Sequence, residues 1–163
     1  MTKTGKRPIT ERPPTGLLKA LLRLPIWAYR TRLGWVFGHR LVYIAHRGRR
    51  SGARREAVAE VVRFDKTVPE ATVIAAWGGT PQWFRNLQAA PAMEVRIGTQ
   101  RWESPEQRFL TAEEILSTLR AYQAAHPRAF RELAPRLGFP ADPKDPTWPE
   151  VAARVHAVAF TPS

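Results

Sequence analysis

The chain has 163 residues, 44% of them apolar, and six tryptophans, which fits one globular domain with a substantial hydrophobic core. It has no cysteine and its four histidines are widely separated, which excludes disulfides and a cysteine nucleophile and predicts no metal site. The net charge of +12 is uneven, because residues 1–55 hold 14 Lys/Arg against one acid and residues 56–163 hold 12 against 13. Such a basic region attracts nucleic acid, an anionic membrane or a small polyanion. The positive charge alone does not distinguish these three classes of partner.

The first 14 residues contain three prolines and few apolar side chains, which predicts a disordered basic tail. A single domain is predicted over 15–163, and it opens with a leader helix over 15–38 that is basic, amphipathic and interrupted at Pro25 and Gly34. This leader is too broken and too charged to span a bilayer. It either packs on the body of the domain, which is the favoured interpretation, or rests on a membrane surface.

The remaining elements follow in chain order from periodicity and turn signals. Strands are predicted over 40–46, 55–65 and 72–77, then a helix that Thr80 caps, with Pro81 at its first position, and that runs to about Ala90. A hairpin is predicted from strands 93–97 and 101–109. Thr111 to Glu114 form a capping box that starts the next helix, and a further helix is predicted over Pro127–Leu137 and ends at Gly138. A short helix from Trp148 and a strand over 155–160 close the domain.

The tryptophans divide into two groups. Trp77 and Trp83 flank the turn G-G-T-P, so they are candidates for the walls of an aromatic ligand site. The other four lie in amphipathic elements and are predicted to be packing residues, Trp35 also being a candidate lid over a ligand: Trp27, Trp35, Trp102 and Trp148.

The segment Arg47 to Arg55 reads R-G-R-R-S-G-A-R-R and follows an apolar strand. Glycines allow main-chain N–H groups to converge into a concavity, and arginine offers forked donors that match phosphate or carboxylate oxygens. The sequence therefore predicts an anion-binding turn. The alternative is a hydrophilic hairpin whose arginines only keep the surface soluble.

Two motifs together resemble a known family. The first motif is G-R-R-S-G-x-x-R at Gly48 to Arg55, and the second is A-A-W-G-G-T-P-Q-W-F-R-N-L-Q-A-A-P at 75–91. In this order, the two motifs are similar to the deazaflavin-dependent nitroreductase family. The resemblance implies an α+β fold, a split β-barrel of the FMN-binding type with an N-terminal amphipathic helix and peripheral helices. It also implies that the chain binds reduced 8-hydroxy-5-deazaflavin, coenzyme F420, whose tail carries a phosphodiester and several glutamates.

The site residues follow from the same resemblance, position by position. The phosphate-binding positions of the family correspond to Arg49, Arg50, Ser51, Gly52 and Arg55. The positions along the coenzyme ring correspond to Ala75, Ala76, Trp77, Gly78 and Trp83. Backbone amides at this second segment could bind the ring's carbonyl edge, a role that needs no particular side chain.

The resemblance further implies hydride transfer to a quinone, a nitroaromatic or an activated alkene. His126 and Tyr122 are the candidate proton donors, because they lie near the family's pocket-lining segment. Ala76 and Trp77 stand where the nitroimidazole-reducing branch has serine and lysine, and His126-Pro127 replaces that branch's Tyr-Pro step. These departures argue against nitroimidazole reduction through the same contacts.

Two other functions stay open from the sequence. FMN is the alternative cofactor, because split barrels also hold FMN and an arginine turn suits its phosphate. A non-enzymatic basic module for an anionic membrane or nucleic acid is the second, although no specific nucleic acid is expected because recurrent aromatics are missing from the turn. We further expect a small-molecule acceptor, a homodimer and membrane contact through 15–38. The expected location is cytoplasmic, including the inner face of the membrane.

Overall fold

A computed structural model describes residues 24–31, 33–75 and 80–163. Outside these ranges lie the predicted tail over 1–14, residues 15–23 and 32 of the predicted leader helix, and the candidate ligand residues Ala76, Trp77 and Gly78. The strands are β1 Leu41–Arg47, β2 Arg54–Asp65, β3 Glu70–Ala75, β4 Glu94–Ile97, β5 Gln100–Glu103, β6 Glu106–Phe109 and β7 His156–Thr161. The helices are α1 Leu24–Arg30, α2 Gln82–Ala89, α3 Ala112–Ala125, α4 Pro127–Leu137 and α5 Trp148–Ala152, with a 3-10 helix at Gly34–Phe37.

The seven strands form one antiparallel sheet in the order β5-β4-β1-β2-β3-β7-β6. The long strand β2 lies at its centre and carries a bulge between Val61 and Arg63, an irregularity that bends a strand and increases its twist. The sheet curls into a half-barrel with helices packed around it, so the predicted α+β split barrel is confirmed.

Both faces of the sheet are covered, as the burial of β1 illustrates. Val42 and Ile44 point to the inner cluster, while Tyr43 and Ala45 lie on the other face beneath α1. Helix α2 closes the inner cluster with Phe84 and Leu87. Helices α3, α4 and α5 cover the outer face through a second cluster.

Most predicted elements are confirmed within one or two residues. The capping box is present, since Thr111 Oγ1 accepts from the Glu114 amide at 3.3 Å and the Glu114 carboxylate accepts from the Thr111 amide at 2.8 Å. Helix α4 ends at Gly138, which adopts the left-handed conformation.

The predicted strand 101–109 is wrong as one strand. It is two strands, β5 and β6, that lie at opposite edges of the sheet. Ser104 has a positive φ of 47° and Pro105 follows it, so the chain turns sharply where the pattern suggested continuity.

The predicted N-cap of α2 is also wrong. Pro81 occupies the cap position and no side chain caps the helix. Thr80 is used elsewhere, because its hydroxyl hydrogen-bonds to Nε2 of His156 at 2.9 Å.

The leader contains the third correction. Trp102 and Trp148 are buried as predicted, but Trp27 and Trp35 are exposed over 60% and 58% of their surface. The packing role falls to Tyr29 instead, which is buried against Tyr43 with ring centroids 5.7 Å apart.

Candidate functional site

The β1–β2 turn is tightly closed by its own backbone. The Gly48 amide donates to the Ala53 carbonyl at 2.8 Å, and the Gly52 amide donates to the Gly48 carbonyl at 2.7 Å. Gly52 has φ +66°, and a Cβ on Gly48 would lie 2.8 Å from Ser51 Oγ. The backbone conformation of the turn thus requires glycine at position 52, and a side chain at position 48 would displace the Ser51 hydroxyl.

Donor groups on this turn remain available to a ligand. Within the described part of the chain, neither Arg50 nor Arg55 forms an ion pair. The amides of Arg50 and Ser51 likewise have no protein acceptor among the described residues. Main-chain amides and guanidinium groups without protein partners are the kind of donors that an anion with several oxygens requires.

Arg49 joins the turn to helix α2. Its guanidinium donates to Gln82 Oε1 at 2.7 Å and to Asn86 Oδ1 at 3.1 Å, and its backbone amide donates to Asn86 Oδ1 at 3.2 Å. A guanidinium has five N–H groups, so these contacts leave donors for a ligand. Arg49 therefore positions the turn as well as adding charge to it.

His46 lies beneath the turn and is buried. Asn86 Nδ2 is 3.2 Å from His46 Nδ1, and since Asn86 Oδ1 already accepts two hydrogen bonds, Nδ2 is the donor and His46 carries its proton on Nε2. Burial lowers the pKa of His46 and the nearby Arg55 charge lowers it further, while a hydrogen bond from the imidazole to the Arg47 backbone raises it. The imidazole is thus a neutral support for Asn86.

The turn and α2 enclose a cavity of about 510 Å³ that opens to solvent. This volume falls within the range of small-molecule sites. Trp83 gives it an aromatic wall, packed edge-on against Phe84 with centroids 5.8 Å apart. Of the predicted phosphate-binding and aromatic residues, the cavity brings together the following: Arg49, Arg50, Ser51, Arg55 and Trp83.

Ala75 is placed at the last position of β3, where it pairs with His156 of β7. The His156 ring stacks on Phe84 at 5.0 Å and bonds to Thr80, so it braces the residues just after the undescribed segment 76–79. Burial lowers the pKa of His156. His156 thus contacts both Ala75 at the end of β3 and Thr80 before α2.

Tyr122 and His126 do not line the turn cavity. They line a second cavity of about 620 Å³ between the far end of β2 and helix α3, and the two cavities share no lining residue. Burial raises the pKa of Tyr122. Its hydroxyl has no hydrogen-bond partner among the described residues. The walls are mainly apolar, and the rim is basic: His39, Arg40, Arg63, Lys66 and His126.

The structure adds supporting residues that the sequence did not single out. His46 ends the predicted strand 40–46, and its side chain is buried and hydrogen-bonded to Asn86. His156 had no assigned role. The only sequence signal for His46 is its alternation with Val42 and Ile44, which places it on the inner face.

A family model described as F420H(2)-dependent quinone reductase matches residues 21–130. This chain belongs to that family. It is an oxidoreductase that depends on reduced coenzyme F420, as the sequence resemblance implied. The matched range contains the β1–β2 turn, helix α2 and both candidate proton donors.

Solved structures give the same fold. The chain is similar to an F420-H2 dependent reductase, FDR-A, at 19% identity and a TM-score of 0.50, over 76% of this chain and 95% of that one. It is also similar to a protein described as a domain-swapped dimer, at 16% identity and a TM-score of 0.49, over 83% of this chain and 98% of that one. A pyridoxamine 5′-phosphate oxidase-related FMN-binding protein from Nostoc punctiforme matches at 16% identity and a TM-score of 0.42, over 94% and 82%. The last two scores are too low to bear on function, and no curated protein sequence matches.

The residues present fit an F420 tail. The phosphodiester and glutamates of that tail need donors and positive charge, and the turn supplies unpaired Arg50 and Arg55 together with two amides that have no protein acceptor in the described chain. A Cβ on Gly48 would push into the same turn.

Proposed function

We propose that this chain transfers a hydride from reduced F420 to a quinone, with nitroaromatics and activated alkenes as further acceptors. The observation that carries the proposal is the anion-binding turn, whose unpaired arginines face a cavity with an aromatic wall. When bound, reduced F420 supplies the hydride from C5 of its ring.

The turn binds the anionic tail. Arg50 and Arg55 supply charge, the amides of Arg50 and Ser51 supply directed hydrogen bonds, and Arg49 holds the turn against α2. Because the turn is fixed by its own backbone and by Asn86, little ordering is needed when the tail binds. The protein's affinity for the coenzyme is thus concentrated away from the reacting atoms.

The register of the sheet supports a proposed position for the coenzyme ring. Ala75 is next to Ile74, which pairs with Glu60 of β2, so the segment after β3 starts beside the middle of β2. The turn cavity includes Arg55 to Ala57 of this strand and the second cavity begins at Val61. A ring held along Ala75 to Gly78 and against Trp83 would extend from the tail site towards the second cavity.

The second cavity is the proposed acceptor site. Its apolar walls suit a quinone ring, and Tyr122 presents a hydroxyl that is free of other partners in the described chain. Because burial raises the pKa of Tyr122, this group keeps its proton at neutral pH and can donate to a developing oxyanion. His126 lies in the same cavity as the second candidate donor.

Anaerobic single-turnover oxidation of reduced F420 tests the acceptor site. With a short-tailed quinone as acceptor, Tyr122→Phe and His126→Gln should slow the oxidation, and Ala125→Trp, which fills the cavity, should raise the quinone concentration that gives the half-maximal rate. Ser117→Trp on the exposed face of the same helix is the matched control. Unchanged kinetics in all three variants, with coenzyme binding intact, would place the acceptor elsewhere.

Two related proposals remain from the sequence. A homodimer would appear in light scattering as twice the mass of the chain. FMN as the alternative cofactor would appear as binding to the same turn in place of F420, and the titration that closes the Discussion compares the two.

A further inference from the structure

The second cavity carries more positive charge than the proposed reaction uses. None of the described residues that line it is Asp or Glu, whereas five are basic: His39, Arg40, Arg63, Lys66 and His126. Binding a neutral quinone requires apolar walls and one proton donor, and it does not require several cations. A cleft lined by charge of one sign attracts ligands of the opposite sign, so the lining bears on the charge of the acceptor.

Two of these cations are not neutralised by the fold. The Arg40 guanidinium lies 3.7 Å from the Glu132 carboxylate, so its charge is paired. In the described part of the chain, neither Arg63 nor Lys66 forms an ion pair, and both side chains are exposed. Asp65 lies between them in the sequence, but its Oδ1 accepts from two backbone amides of the following turn. Arg63 and Lys66 are therefore available to an anion.

A bulge in β2 places Arg63 at this cavity. Val61 packs in the inner cluster, and regular alternation would put Arg63 on the same face. The bulge between them shifts the register, and Arg63 pairs with Thr72. Thr72 lies between Ala71 and Val73, which both belong to the inner cluster, so this pair is on the outer face. Helix α3 forms a wall of the cavity on this face, and bulges commonly re-aim a side chain beside an active site.

An aromatic surface lies beside the Lys66 charge. The His39 and Phe64 rings are stacked, with centroids 4.2 Å apart and an interplanar angle of 19°. Burial lowers the pKa of His39 and the Lys66 charge lowers it further, so the imidazole is neutral at neutral pH and contributes a flat wall instead of a charge. The cavity thus combines a flat surface for a planar ring with a fixed cation near that surface.

We propose that the second cavity selects quinones that carry a carboxylate, which Arg63 and Lys66 bind while the ring lies against the apolar walls. This inference rests on the proposed function, because it names the substrate class of the same cavity. In the reaction the quinone takes up a hydride and a proton and becomes the quinol, and the carboxylate is unchanged. The coenzyme tail is assigned to the β1–β2 turn, and the two cavities share no lining residue.

A naphthoquinone with a propionic acid side chain and the methyl ester of the same compound are matched probes, because their rings are identical and only the charge differs. Isothermal titration of the full chain with oxidised F420 bound should show that the acid binds about tenfold more tightly than the ester, since hydrogen bonds between charged groups are the stronger ones. Anaerobic oxidation of reduced F420 should show the same ratio in the half-saturating quinone concentrations. Added salt should reduce the ratio.

Arg63→Gln, Lys66→Gln should lower the affinity for the acid to that for the ester. Affinity for the ester should stay unchanged, which shows that the cavity is intact. Lys144→Gln, Arg154→Gln is the matched control, because it removes the same two charges from exposed positions that line neither cavity. This control should bind acid and ester as the unchanged chain does.

Four results would overturn the inference. Equal affinity for acid and ester in the unchanged chain, with both quinones reduced, would refute it and leave the proposed reaction intact. Weaker F420 binding in Arg63→Gln, Lys66→Gln would assign these cations to the coenzyme. Loss of acid binding in Arg50→Ala, Arg55→Ala, with binding kept in Arg63→Gln, Lys66→Gln, would place the carboxylate in the turn. Reduction of neither quinone would refute the proposed reaction together with the inference.

Discussion

Asn86 is the side chain on which the geometry of the turn depends. It accepts from the backbone and the guanidinium of Arg49 and donates to His46, so one buried amide joins β1, the turn and helix α2. Each of these groups would lose a partner if the amide were removed, and an unsatisfied buried polar group costs about 1–3 kcal/mol. The arginines of the turn are conspicuous in the sequence, whereas their support rests on one amide and one imidazole.

The pH dependence of folding should report the His46 contact. Its pKa is lowered in the folded protein by burial, so below the ordinary value of 6.5 the unfolded chain takes up a proton that the folded chain does not. The free energy of unfolding should therefore fall as the pH decreases from about 7.5 to about 5.5. His39 and His156 have lowered pKa values for the same main reason and add to this loss.

His46→Gln isolates the contribution of this one residue. Urea unfolding at both pH values should show a smaller loss for the variant than for the unchanged chain, because the other two histidines remain. Glu60, whose pKa is raised by burial, changes in the opposite sense but equally in both proteins. An identical pH dependence in the two proteins would mean that His46 is not held neutral in the fold.

At the scale of elements, hydrogen bonds from Arg49 to Gln82 and Asn86 join the turn Gly48 to Ala53 to helix α2. Periodicity and turn signals predicted both, since each depends on local sequence. The break between β5 and β6 could not be predicted in this way, because the residues on either side of Ser104 read as one alternating strand. The two halves pair with different neighbours, β4 and β7, and that partnership is decided by the closure of the sheet.

The backbone of the turn provides the test at this scale. Gly52 has φ +66°, so Gly52→Ala should lower the free energy of unfolding by about 1–2 kcal/mol, whereas Gly52→Asn should cost less because asparagine tolerates this conformation. Urea unfolding measures both changes. Equal costs for the two variants would show that the left-handed backbone is not what requires glycine here.

At the scale of the whole molecule, the fold separates three tasks. The proposed anion site lies at the β1–β2 turn, the end of β3 pairs with the middle of β2, and the second cavity lies at the far end of β2. The family and the split barrel could be predicted because two motifs carry the resemblance. The burial of individual tryptophans could not, since Trp27 and Trp102 both lie in amphipathic segments and only the tertiary packing distinguishes them.

The central claim is that the β1–β2 turn binds the tail of F420. Titration of the full chain with oxidised and reduced F420, followed by tryptophan quenching, should give tight binding that Arg50→Ala, Arg55→Ala weakens by about a hundredfold, since each charged hydrogen bond contributes about 1.5 kcal/mol or more. Arg120→Ala, Arg131→Ala removes the same charge from exposed helix positions and should bind F420 as the unchanged chain does. Equal affinity in the two double variants, or tighter binding of FMN than of F420, would contradict the account.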